Sequence, residues 1–543
     1  MNPVKALTVT PLPALAAALL LACLAGPARA VPAHPRGAAV AQADGSTVTV
    51  RLRGDEYHHW HEDRDGYTVL KDKAAGSWFY AEQAADGSLR PGAHRVGAGE
   101  PAKLGLKRGL KDDRRVKAGA ARRQRDEAAR RARAVSSPFR VSASPVGALS
   151  AVSPSAAQPA RAPILTGTMK NLVILARFSD HAATHDQPAF NNLFNQVGYN
   201  LDGAVGSVKD YFLETSYGEL TVQSVVTAWV TLPQTQAYYG ANDVDGYDVR
   251  PREMVRDAIN ALEASNFDFS QADGNGDGEV DGLTIIHSGF AEEYGGNPEN
   301  AIWSHQWELI TPLTYDGVRM EAYHTEAEIR GWTATPSSQG ISRIGVICHE
   351  TGHFLGLPDL YDTTYETNGV GSFCLMGGGS WNGADEDGAS PAHLSAWPKK
   401  ALGWAEATQL TTIGTKSLGR IAEDPAALYQ LRDSAFPASE YFLIENRQGY
   451  GFDAYLPGAS RGLLVWHVDE AMAGNDNPAN YKVDLEEASG TQHLSAANPD
   501  TVTGDDADYY RAGNNTSFTD STSPNSRSYS GQNLKLPISA VSA

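Results

Sequence analysis

Residues 349–362 read HETGHFLGLPDLYD, and few stretches of this length leave a chain so little freedom. His349 and His353 stand four apart, so on a helix of ~3.6 residues per turn their imidazoles face one point, with Glu350 on the adjoining face. Gly356 can end that helix in a left-handed turn without a Cβ penalty, and Pro358 keeps it from resuming. The chain is sent back toward the histidines, and Asp359 is the first carboxylate to arrive. A catalytic zinc takes three protein ligands and leaves a fourth position open. The run therefore predicts zinc on His349, His353 and Asp359, with Asp362 and Glu366 as the alternatives for the third ligand and Glu350 as general base. A later glutamate is a poorer third ligand, because Glu386 and Asp387 sit in a Gly/Asp-rich loop.

The spacing His-Glu-x-x-His-x-x-Gly-x-x-Asp resembles that of metzincin zinc proteases, most of which carry histidine where this chain has Asp359. Met376, in SFCLMGGGSW, resembles their Met-turn. With GSVKDYFLETSYGEL, SPAHLSAWPKKALGW, YFLIENRQ and GLLVWHVDE, the chain from about Gly54 onward is similar to the immune inhibitor A family of secreted bacterial metalloproteases. The resemblance implies a signal, a removable propeptide, an α/β (α+β) metzincin-like zinc peptidase domain and an all-β sandwich after it. The function it implies is a secreted zinc endopeptidase made as a precursor and acting on proteins or peptides. The competing class is a noncatalytic extracellular binding protein with a structural metal site, for which Glu350 would have no use. No tyrosine closely follows Met376 to steady an oxyanion; His305 and His393 are the substitutes, though a structural role suits both better.

The first 30 residues, with Lys5, the apolar ALAAALLLACLAG and a small-residue ending at Ala30, have the form of a secretory signal; Cys23 offers a less fitting lipoprotein alternative. Short alternating runs in 31–102 predict a β-rich propeptide, and 103–162 reads as a basic helical and Pro/Ser/Ala-rich linker, a site for activating cleavage. The buried-strand run LVILA opens a peptidase domain at 163–410; short strands and turns in 411–543 predict the sandwich. Residues 1–162 hold 25 Lys+Arg against 14 Asp+Glu, which leaves −30 on the remainder, an acidic balance that argues against nucleic acid as a partner. No membrane association after signal removal, an extracellular location and a monomeric state are expected.

A second cofactor is suggested by DGNGDGEVD, where Asp273, Asn275, Asp277, Glu279 and Asp281 follow the first nine positions of a calcium loop, although Thr284 replaces the glutamate expected at position twelve. Beyond the signal only Cys348 and Cys374 remain, and in an oxidising compartment a disulfide joining the metal helix to the Met-turn is expected, two buried thiols being the alternative. The pattern GASRG around Ser460, followed by His467 and Asp469, imitates a serine hydrolase but lacks the strand-then-helix setting. HHWH at 58–61 could plug a metal site with imidazole, though surface strand histidines are commoner.

Overall fold

The computed structural model describes residues 29–136, 165–295, 300–331, 340–496 and 503–542; most of the expected signal and the Pro/Ser/Ala-rich tract lie outside them. Six strands follow one another as an antiparallel meander: β1 (Ala38–Ala41), β2 (Thr47–Gly54), β3 (His59–Glu62), β4 (Thr68–Asp72), β5 (Ser77–Gln83) and β6 (Leu89–Arg95). Alternation puts Val50, Leu52, Val69, Trp78 and Tyr80 inside. The helix α1 (Asp113–Ser136) comes next, in the tract expected to be a basic helical linker. Arg122 bonds Asp243 and Asp245, Arg123 bonds the buried Asp55 at 2.5 Å, and Gly119 lies against the Tyr57 carbonyl, where a Cβ would come within 2.6 Å. Ion pairs with acidic partners dock a helix that has too little apolar surface to dock itself.

The central unit is a mixed α and β layer. Its elements are β7 (Gly167–Arg177), α2 (Gln187–Asn195), α3 (Val208–Thr215), β8 (Leu220–Val226), β9 (Val230–Thr231), α4 (Gln236–Tyr239), α5 (Pro251–Glu263), β10 (Gly282–Phe290), β11 (His305–Tyr315), β12 (Val318–Ile329), α6 (Ile344–Phe354) and α7 (Ala396–Ala401). The sheet order is β11-β12-β10-β7-β8, with β9 also on β7; all neighbours are parallel except β11, which lies antiparallel to β12 at the edge. Val173 and Leu175 face a core with α2, α3 and α6, while Leu172 and Ile174 face α5. Burial on both faces explains the unbroken apolar run. The β11–β12 hairpin turns through Asp316 and Gly317, both at positive φ, a turn signature that the sequence reading passed over.

The C-terminal sheet runs in order through β13 (Thr408–Gln409), β14 (Leu428–Leu431), β15 (Glu440–Arg447), β16 (Gly462–Asp469) and β17 (Val483–Leu485). The expected sandwich is corrected: among the described residues there is one sheet, not two. Tyr441, Leu443, Leu464 and Trp466 enter the same core as α6, and Phe442, Ile444 and Val465 on the other face are covered by Tyr510, Phe518 and Leu534 from chain that forms only isolated bridges. The Asn-, Ser- and Gly-rich sequence there supports no long ladder. No described helix is long and apolar enough to cross a membrane.

Arg447 is fully buried at this junction, bonding Asp453 (2.6 and 2.8 Å), Glu445 (3.2 Å) and the Phe373 carbonyl (3.2 Å). Asp453 in turn accepts from the His393 amide at 2.9 Å. Replacing only the arginine strands two buried carboxylates, so Arg447→Met is expected to cost about 3–5 kcal/mol in urea unfolding, whereas a loss under about 1 kcal/mol would mean that the cluster is solvated.

Candidate metal centre

Helix α6 is buried along its whole length, and its end has the form that Gly356 predicts. Gly356 adopts φ +101°, its N–H donates to the His353 carbonyl (2.9 Å), and the Leu357 N–H donates to the Gly352 carbonyl (3.0 Å), a Schellman closure. The turned chain presents the Leu357 carbonyl to His353 Nδ1 at 2.9 Å. On the other side, the Leu375 carbonyl accepts from His349 Nδ1 at 2.8 Å. With protons assigned to both Nδ1 atoms by these acceptors, both Nε2 atoms carry lone pairs. Burial pushes His353 down to about 4, so it is neutral at ordinary pH.

The three donors meet. His349 Nε2 and His353 Nε2 are 3.0 Å apart, and Asp359 Oδ1 lies 3.2 and 3.1 Å from them. Asp359 Oδ1 is buried and receives no hydrogen bond. Ligands of a tetrahedral zinc with bonds of ~2.0–2.1 Å are spaced by about 3.3 Å, so the triad fits a metal ion. Without a cation, three electron-rich atoms this close would repel. Met376 packs beneath: a Cβ on Gly352 would fall 2.6 Å from its sulfur, and its carbonyl accepts from the Leu360 N–H at 2.8 Å, which fixes the start of the returning chain.

The N-terminal described residues thread this centre. Arg29 exchanges two backbone hydrogen bonds with Gln306 on the edge strand β11 (3.2 and 2.8 Å). The Ala30 carbonyl accepts from the Tyr361 hydroxyl at 2.7 Å, and the Val31 N–H donates to Glu350 Oε1 at 2.8 Å. Trp303 and Trp381 donate their indole N–H groups to the Val31 and Pro32 carbonyls, each at 3.0 Å. Overhead lies the β2–β3 turn, where the Gly54 carbonyl accepts from the Ala33 N–H at 2.9 Å. Burial, together with Glu326, Asp359 and Glu56, pushes the Glu350 carboxyl well above its usual range, against the Val31 N–H that lowers it. Tyr361 is pushed up by burial and by Asp359, so it stays a hydroxyl donor. Sequence reasoning missed Tyr361, although it lies two residues past Asp359 in the same turn.

The other candidates have partners elsewhere. Asp362 caps its own turn, accepting from the Thr364 (2.8 Å), Glu366 (3.2 Å) and Thr367 (2.9 Å) N–H groups, and Glu366 is exposed. Glu386 pairs with Arg36 and Asp387 with Arg343. His305 bonds Trp303 and Tyr323, and His393 bonds Glu214 and Lys399, away from the triad. The disulfide is a correction: Cys348 and Cys374 are both free and buried in the main core, Cys374 Sγ accepting from the Ser395 N–H at 3.4 Å. The HHWH run does not plug the centre, since His59 faces Glu292 and His61 meets Trp78 edge-on. Ser460 and His467 belong to separate networks, with Asp506 and with Glu440 and Glu486.

The residues of the expected calcium loop bond one another and their neighbours. Asp273 accepts from the N–H groups of Gly276, Asp277 and Gly278, Asn275 bonds Asp277, Glu279 turns to Arg319, and Asp281 accepts from Lys170 and Gly274. Among the described residues their carboxylates alone do not form a group of three meeting at one point. The loop closes on its own backbone.

Comparison with known proteins adds to this geometry. Residues 168–407 match the family profile described as immune inhibitor A peptidase M6, catalytic domain. The chain is 34% identical over 269 residues to immune inhibitor A of Bacillus thuringiensis subsp. alesti, covering 42% of this chain and 39% of that protein. It is 30% identical over 275 residues to the pre-pro-metalloprotease PrtV of Vibrio cholerae serotype O1 (strain M66-2), covering 45% of this chain and 29% of that one. The match thus spans well under half the length of these relatives.

Asp359→Ala is expected to lose the bound metal, while Asp362→Ala keeps it at a cost in stability of about 1–3 kcal/mol from stranded backbone donors. Metal analysis and thermal melting of the two variants check this; full metal content in Asp359→Ala would contradict the assignment.

Proposed function

We propose that this chain, whose residues 168–407 belong to the immune inhibitor A peptidase M6 family, is a secreted zinc-dependent endopeptidase made as a precursor. One observation carries the reading: Glu350 and Tyr361 hold the two ends of a single peptide unit, Ala30–Val31, beside the donor triad. A structural metal site needs neither residue, which disfavours the noncatalytic alternative. His349, His353 and Asp359 are the ligands, and bound zinc supplies Lewis acidity toward water and a carbonyl. Glu350 takes the proton of the attacking water and returns it to the amide nitrogen that departs, the atom whose place Val31 N marks. The Tyr361 hydroxyl donates to the carbonyl oxygen as negative charge builds on it. Strand β11 aligns the substrate as an added antiparallel strand, as it aligns Arg29, so backbone pairing rather than one side chain selects for extended polypeptide.

The same contacts account for a latent precursor. With the signal ending at Ala30, residues 31–34 remain in the cleft, the β2–β3 turn covers them, and Arg123 of α1 pins that turn through Asp55. Cleavage of the signal after Ala30 would leave the Val31 nitrogen on Glu350.

In chain from which residues before 165 have been removed by a nick in the 137–164 tract, casein cleavage is expected, and none in the intact chain. Glu350→Ala is expected to keep its zinc and lose cleavage; equal proteolysis by this variant would end the peptidase reading. Tyr361→Phe should lower kcat by about 10²–10³ with little change in KM, as for loss of one oxyanion donor.

A further inference from the structure

Two clusters of one histidine and two carboxylates lie at the C-terminal sheet, and they are built differently. In the first, His467 bridges Glu440 Oε1 (2.8 Å) and Glu486 Oε1 (3.1 Å) with hydrogen bonds at both nitrogens. Burial opposes its charge, but the two carboxylates outweigh it and raise His467 to about 9, so it is a protonated and satisfied bridge.

The second cluster comprises Glu487 just past β17, His493 in the following loop, and Asp508 in the short turn Asp506–Asp508. Both carboxylates are fully buried. Glu487 Oε1 accepts from the Leu494 N–H (3.0 Å) and Asp508 Oδ2 from the Asp505 N–H (2.6 Å), but Glu487 Oε2, Asp508 Oδ1 and His493 Nε2 are buried with no hydrogen-bond partner. His493 stands 3.3 Å from Glu487 and 3.7 Å from Asp508, and burial lowers its pKa. One ligand atom from each residue lies within 4.8 Å of the others. Burial raises Glu487 to about 9 and Asp508 to about 7, so their charged forms need a partner or a metal, and among the described residues no Lys or Arg pairs with either.

We propose that Glu487, His493 and Asp508 form a second metal site, distinct from the first, that takes a divalent transition metal of the zinc class. An imidazole among three side-chain donors suits zinc, whereas calcium takes six to eight oxygens. His493, with 19% of its side chain exposed, is the donor with room to adjust. The site has a structural task. The Leu494 carbonyl accepts from the Asn368 N–H (2.8 Å) and the Thr503 carbonyl from the Ser372 N–H (2.7 Å), so metal here fastens chain that grips the segment leading to Met376.

Zinc and calcium counts on folded, full-length Glu350→Ala protein, equilibrated with both metals and then dialysed, test this. Two equivalents of zinc are expected, falling to one when Glu487→Gln or His493→Ala is added and also to one when His349→Ala is added instead. The melting temperature of the Glu350→Ala, His349→Ala protein should rise with zinc, and His493→Ala, a change at a partly exposed residue, should abolish that rise. A single equivalent before any change at this cluster, a count and melting response indifferent to His493→Ala, or calcium as the second ion would overturn the proposal.

Discussion

Three electron-pair donors held within 3.2 Å of one another are the constraint around which this molecule is arranged. Such a triad would fly apart if left to itself, so each donor needs its own support. The Leu375 carbonyl orients His349, the Leu357 carbonyl orients His353, and the Leu360 amide, anchored on the Met376 carbonyl, sets the chain just past Asp359. All three supports are backbone groups placed by one helix end and one turn. That makes the absence of a Cβ at Gly352 and the positive φ of Gly356 part of the centre as much as its ligands.

Support continues outward into the C-terminal sheet, which shares the main core and reaches the Met376 segment through Arg447 on the Phe373 carbonyl. The sheet is thus a floor for the centre rather than a separate module. On the opposite side, the edge strand β11 pairs through Gln306 with the backbone of Arg29. Arg29 thus takes the place proposed for substrate there and residues 31–34 lie beside Glu350, so the cleft proposed to bind substrate is also the one proposed to be filled in the precursor.

What could be read in the sequence was local. The two histidines, the helix end, Asp359, Met376, and the strands β7, β10, β15 and β16 are all read from spacing and composition over a few residues, and the structure brings His349, His353 and Asp359 together. What escaped depended on contacts distant in the chain. Tyr361 is two residues from Asp359, but its use is visible only once Ala30, 331 residues away, lies against it. The docking of the basic helix is not legible locally because its partners Asp55, Asp243 and Asp245 belong to other elements. The two cysteines sit near one another in the sequence pattern, yet the core that buries them keeps them as thiols. A run of short polar strands looked like a second sheet because a strand and an isolated bridge have the same local sequence.

The account rests on zinc seated among two imidazoles and the first carboxylate after the turn, with a peptide bond lying beside it. Zinc-edge anomalous diffraction from crystals of the full-length Glu350→Ala protein measures this directly. The account predicts a peak about 2.0–2.2 Å from His349 Nε2, His353 Nε2 and Asp359 Oδ1, next to the Ala30–Val31 peptide or the Val31 nitrogen. No peak there, or one ligated by Asp362 in place of Asp359, would contradict it.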